Sequence, residues 1–221
     1  MVKITKTVKL ELQVWLVLFV VAIMNVALFM SLSANRANTQ IEFYHDILFT
    51  GFVYALFIIV SLGCIFFKKI PWVKYTFYGL LAFLTGRILI NLYLLIANPL
   101  VNDNGQTILV DALFICVVSL FVFSLWYWII DRDGPVARWE KNDETRYDLL
   151  FPQYQGNIPG WTNWRPQFLD YIFFSFFTST GFSPADTLPL TKRVKFLMMI
   201  EAFISLIIIG MVASRAISLL T

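Results

Sequence analysis

Charged residues are scarce in this chain. Of its 221 residues, 17 are Lys or Arg and 14 are Asp or Glu, so 14% are charged against 59% hydrophobic. A soluble domain is nearer a quarter charged and half apolar. So few charges cannot coat a soluble globule of this size, which excludes a soluble enzyme and a nucleic-acid binder. Cysteine is almost absent. Cys64 and Cys116 both fall inside apolar runs with no CxxC, which excludes a disulfide scaffold and reads as reduced packing. There is one histidine, His45, so no metal-ligand set and no Cys–His chemistry is expected, and no cofactor.

Long apolar runs are what the chain has instead. Five of them cover 12–32, 47–67, 75–97, 108–130 and 196–218, and they contain only four charges: Arg87, Asp111, Glu201 and Arg215. About 20 helical residues cross a bilayer core. The expected class is an all-α membrane protein. It has five transmembrane helices plus one short re-entrant helix-loop, or six spans if that segment crosses. By segment, 1–130 is a four-helix transmembrane bundle, 131–167 an interfacial connector, and 168–221 a short helix, a loop and the last span. The basic stretch Met1–Lys9 before the first run resembles a signal peptide, but that run exceeds the usual 7–15 residues, so retention is expected.

The basic residues are asymmetric. Lys3, Lys6, Lys9, Lys68, Lys69, Lys74, Arg132, Arg138, Lys141, Arg146, Arg165, Lys192, Arg193 and Lys195 share one side if 168–195 does not cross. Only Arg36 and Arg215 oppose them, so the positive-inside rule places the N-terminus in the cytoplasm. All seven tryptophans lie at or near that side, at 15, 72, 126, 128, 139, 161 and 164, as headgroup anchors do. The connector 131–167 mixes charges, aromatics and prolines. It reads as an ordered interfacial connector, with a partner-docking surface as the other reading.

Residues 168–182 are apolar but too short to span, as a re-entrant or interfacial helix is. From Thr178 on, Thr178, Ser179, Thr180, Gly181, Ser183, Pro184, Asp186, Thr187 and Pro189 break the helical pattern. Irregular backbone at membrane depth survives only where protein buries it or water lines it. The hydroxyls and carbonyls of 178–186 suit hard cations, and Asp186 adds negative charge at the mouth. A loop that merely caps the bundle is the bland alternative.

This stretch, Phe176-Phe177-Thr178-Ser179-Thr180-Gly181-Phe182-Ser183 followed by Asp186, Pro189 and Thr191, resembles the pore loop of the potassium-channel superfamily. In that likeness Gly181 takes the place of the first filter glycine and Phe182 that of the filter tyrosine. Gly210 matches the inner-helix hinge. Ser183 stands where a second filter glycine belongs, and Pro184 and Ala185 are extra. Serine rarely adopts the positive φ that such a glycine supplies. A closer resemblance, over roughly 131–220, is to uncharacterised bacterial membrane proteins with an F-S-P-x-D-T-x-P-L-T motif, and it carries no activity. Together these imply an inner (plasma) membrane protein that passes monovalent cations through a homo-oligomeric pore, a tetramer favoured. Thr178, Ser179, Thr180, Gly181, Phe182, Ser183 and Asp186 would form its constriction, and membrane lipid would surround it. A non-conducting structural or partner-binding protein is the rival. A lipid enzyme using Ser179 or Ser183 lacks a base on the same side, so no enzyme is expected.

Two intramembrane charges remain. Arg87, with Asn91 one turn on, and Glu201 are each expected to face the protein interior, as a structural salt bridge or as an ion relay. Asp111 and Asp46 are rival partners for Arg87. Gly210, Ser214 and Ser218 form a small-xxx-small stripe that permits close helix approach, within a subunit or between subunits, and Ala82 and Gly86 a shorter one. No internal repeat points to an inverted-repeat transporter.

Overall fold

A computed structural model describes residues 48–49, 51–57, 59–60, 70–97, 105–134, 146–155, 159–160, 164–181 and 186–218. The first expected span and nearly half of the second lie outside them, as do Phe182 and Ser183. The described chain is mostly helical. Four helices are long enough to name: α1 (Ile70–Ala97), α2 (Gly105–Ile130), α3 (Phe168–Thr180) and α4 (Lys192–Ser218). A two-residue strand β1 (Leu149–Leu150) pairs antiparallel with β2 (Leu188–Pro189), Leu149 opposite Pro189 and Leu150 opposite Leu188.

Among the described residues, three stretches are long and apolar enough to cross a membrane: Tyr75–Ile96, Leu109–Asp133 and Lys192–Ser214. They coincide with three of the five expected spans. Their side chains are arranged in the opposite sense to a soluble helix. In α4, Glu201 is 0% exposed while Met199 is 69% and Phe203 65% exposed. Phe196, Leu206 and Ile209 join that outer apolar face. In α1, Arg87 and Asn91 are buried while Leu89, Ile90 and Tyr93 are exposed, and in α2 Asp111 is buried beside exposed Val110, Leu113 and Phe114. Large apolar side chains turned outward and polar ones inward suit a lipid solvent, where an exposed charge is costly.

The chain divides into two compact units. One comprises 18–118 and 210–221, the other 1–17 and 119–209. The first has a core of Leu81, Leu84, Ile88, Leu95 and Ile115, with Arg87, Asn91 and Asp111 buried in it. Within it Gly79 admits the ring of Phe57, which a Cβ would meet at 3.0 Å. The second unit holds α3, both strands and most of α4. Its core is Phe123, Leu125, Tyr127, Leu149, Tyr171, Phe174 and Ile208.

Helix α2 ends abruptly. Arg132 (φ 49), Asp133 (φ 61) and Gly134 (φ 102) take left-handed backbone in succession. Each such non-glycine residue costs about 1 kcal/mol or more, so the turn persists only because its surroundings hold it. The Arg132 guanidinium lies 4.5 Å from the centre of the Tyr147 ring, and its backbone N–H donates to Asp148 at 2.9 Å.

Helix α3 has clear signals at both ends. Gln167 and Asp170 form a capping box in which the Gln167 N–H donates to the Asp170 carboxylate at 2.6 Å. Gly181 ends the helix at φ 75, the left-handed position that glycine fills without a Cβ clash. The helical backbone therefore continues through Thr178, Ser179 and Thr180, and the expected break begins at Gly181 instead. Thirteen residues make α3 roughly 20 Å long, against a hydrocarbon core of about 30 Å.

Candidate functional site

Two buried polar clusters hold α3 and the start of α4 against α2. The first lies at the end of α2. The Asp131 carboxylate accepts the Leu149 N–H at 3.2 Å and the Tyr171 hydroxyl at 2.7 Å. Asp148 is the hub. Its two carboxylate oxygens accept the Arg132 N–H, the Thr191 hydroxyl at 2.6 Å, and Nε and Nη2 of Arg193 at 2.7 and 2.5 Å. Its carbonyl accepts the Leu190 N–H at 2.9 Å, continuing the β1–β2 pairing. Burial alone would raise the Asp148 carboxyl, but the Arg193, Thr191 and Arg132 donors outweigh it and hold it below the ordinary carboxylate range.

The second cluster lies deeper. Glu201 of α4 accepts the Tyr127 hydroxyl of α2 at 2.6 Å and the Ser175 hydroxyl of α3. Ser175 Oγ also lies 3.0 Å from the Leu120 carbonyl of α2. Tyr127 packs edge-on against Phe174, with centroids 4.8 Å apart. Both oxygens of Glu201 thus accept hydroxyls. Arg87 is buried in the other unit.

The two clusters give relative depth. Leu120 precedes Asp131 by 11 residues, roughly 16 Å of helix. Ser175 sits at the level of Leu120. At the other level, Phe168 stacks edge-on against Trp128 and Tyr171 reaches Asp131. Thr191 and Arg193 return to Asp148, which holds Arg132. Phe168 and Tyr171 on one side and Thr191 and Arg193 on the other are therefore bound at the same end of α2, while Ser175 lies well along that helix.

The expected constriction residues are only partly brought together. Thr178 and Ser179 are buried, and Thr180 is half-buried. Their hydroxyls turn back onto their own helix. Thr178 donates to the Phe174 carbonyl at 2.9 Å, while Ser179 and Thr180 donate to that of Phe176 at 3.0 and 2.8 Å. Gly181 and Asp186 are exposed, and an added Cβ at Gly181 meets nothing among the described residues. Gly210 and Ser214 are exposed too, and a Cβ at Gly210 likewise meets nothing.

Among the described residues no group of three His, Cys, Asp or Glu side chains converges on a metal position. The C-terminal end of α3 carries the negative end of the helix dipole, which favours a cation. Compared with protein-family models, curated proteins and solved structures, the chain has no significant match.

Sequence reasoning missed Tyr127, Ser175 and Asp148 as partners. Glu201 had no cation one turn away in α4, which signalled that its partners must come from other helices. Asp148 carried no comparable signal, since its partners lie 16, 43 and 45 residues away.

Proposed function

We propose that this is an integral membrane protein in which residues 168–191 enter and leave the bilayer on one face, and that it passes monovalent cations through a pore built from several copies. The observation that carries the reading is the common anchoring of both ends of this segment at Asp131, Arg132 and Asp148, with Ser175 held at Leu120 and Glu201. A short helix ending at Gly181 and a long apolar helix after it suit a pore module. The basic residues put this face, and the N-terminus, in the cytoplasm. The exposed stripe of Gly210 and Ser214 leaves close-approach surface for another copy, four around an axis being favoured. The C-terminal carbonyls of α3 would then face the axis, with Asp186 at the mouth.

One observation favours a second reading. The Thr178, Ser179 and Thr180 hydroxyls are bonded to helix carbonyls and are not available as cation ligands without rearrangement. A non-conducting structural protein with the same fold would look like this. Purified protein in liposomes separates the two. Monovalent-cation flux that falls on Asp186→Asn and Gly181→Ala supports conduction. No flux, or flux indifferent to both, leaves the structural reading.

A further inference from the structure

Ser175 of α3 stands between two acceptors. Its Oγ bonds Oε1 of Glu201 and lies 3.0 Å from the Leu120 carbonyl. A serine hydroxyl has one proton, so it donates fully to only one of them at a time. Donation to Glu201 suits the carboxylate, and the Leu120 carbonyl still accepts the Ser124 hydroxyl at 2.7 Å. Donation to Leu120 instead turns a lone pair of Ser175 Oγ towards Oε1. A proton on Oε1 then has an acceptor, and the same contact persists with its direction reversed. Oε2 accepts the Tyr127 hydroxyl, at 2.6 Å, in either case. Both charge states of Glu201 therefore leave its two oxygens bonded.

The surroundings favour a group that can shed its charge. Glu201 is 0% exposed and lies in the Lys192–Ser214 stretch, roughly 14 Å of helix beyond Lys192. Tyr127, which is titratable, faces it from α2, and Ser175, which is not, faces it from α3. Among the described residues no Lys or Arg is bonded to it. Asp131, one turn beyond Tyr127, is bonded to Leu149 and Tyr171. A buried carboxylate without a cation is costly, and taking up a proton removes that cost.

We propose that Glu201 is a reversible proton-binding site inside the membrane, with Ser175 as the positioning residue that satisfies it in both charge states. A proton from water adds to Oε1, and the Ser175 hydroxyl turns to Leu120. The carboxylate loses its charge, and no covalent bond other than the new O–H is made or broken. The bond that fastens α3 to α4 thereby changes from charge-assisted to neutral. The proposal rests on membrane embedding and on the packing of α2, α3 and α4, not on conduction, so a protein that passes no ions still satisfies it.

The test is infrared difference spectroscopy of the full chain in lipid nanodiscs, across the pH range in which it stays folded. A protonated carboxyl group has a C=O stretch separate from the carboxylate and amide bands. Such a band is expected to grow as pH falls and to be absent in Glu201→Gln. It is expected to move to higher frequency in Tyr127→Phe, where Oε2 loses its donor, and this second variant assigns the band even where the glutamine variant does not fold. Ser175→Ala is expected to shift the midpoint upward by about one pH unit, because the carboxylate loses a charge-assisted donor. Ser175→Thr keeps a hydroxyl there and is expected to restore the midpoint. A serine that only fills space would leave the midpoint in place. No Glu201-dependent band at any such pH overturns the proposal. So does a band that does not change with pH, or a midpoint indifferent to Ser175→Ala.

Discussion

Tyr127 of α2 donates its hydroxyl to Glu201 of α4 at 2.6 Å, across 74 residues of sequence, in a pocket where Glu201 is fully buried. Ser175 of α3 donates to the other oxygen of the same carboxyl group. One acidic side chain thereby ties three helices together at depth. Removing either donor leaves a buried acceptor short of a partner, which costs about 1–3 kcal/mol. Tyr127→Phe and Ser175→Ala are each expected to destabilise the protein by that amount in denaturation in detergent. Because both act through Glu201, their effects are expected to be non-additive in a double-mutant cycle, with a coupling of about 0.5 kcal/mol or more.

The Asp148 hub predicts a larger effect. It holds the left-handed turn after α2, the β1–β2 pairing and the start of α4 at once. Asp148→Ala strands the Arg132 N–H and the Thr191 hydroxyl and releases Arg193, and about 3 kcal/mol of destabilisation is expected. Thr191→Val removes one neutral donor and is expected to cost about 1 kcal/mol. Chemical denaturation of both variants, measured together, checks the ratio.

Asp148 also sets a pH dependence. Its folded carboxyl titrates below its ordinary value, so its contribution is fully present above the unfolded value of about 3.9 and is lost as pH falls through the folded one. The unaltered protein is therefore expected to lose stability on acidification below about pH 4. Asp148→Asn is expected to lack that share of the acid transition while being less stable at neutral pH. Melting temperatures of the two across this range test the sign.

Gly181 closes α3 at φ 75, and an added Cβ meets none of the described residues, so the cost of a side chain there is backbone strain. Gly181→Ala is expected to cost about 1 kcal/mol, and Gly181→Asn less, because asparagine tolerates the left-handed region. The order of the two melting temperatures tests the cap.

Much of this fold is legible in the sequence, and the reason is periodic. The runs at 75–97, 108–130 and 196–218 match the C-terminal ends of α1, α2 and α4. Each helix begins three to five residues earlier than its run, because an apolar count ignores flanks such as Ile70–Lys74 and Lys192–Lys195. For α3, length and the glycine signalled the element, but the hydroxyls of Thr178 to Thr180 were read as a break. Threonine and serine instead bond back to the preceding turn and sit in the helix. Burial of Arg87 and Glu201 was predictable, since a bilayer penalises exposed charge. Their partners were not, because Tyr127 and Ser175 are unremarkable in the chain and meet Glu201 only through tertiary packing. The same holds for Asp148, one acid among several in the 131–167 stretch until Arg132, Thr191 and Arg193 converge on it.

The central claim is that 168–191 enters and leaves the membrane on one face. Single cysteines at Gln167 and Lys192, both exposed, test it in a chain carrying Cys64→Ala and Cys116→Ala. A membrane-impermeant maleimide is applied to intact cells and to inverted vesicles. The account predicts that both cysteines are labelled in inverted vesicles and neither in intact cells. Labelling of the two from opposite sides would contradict it and make α3 part of a sixth crossing.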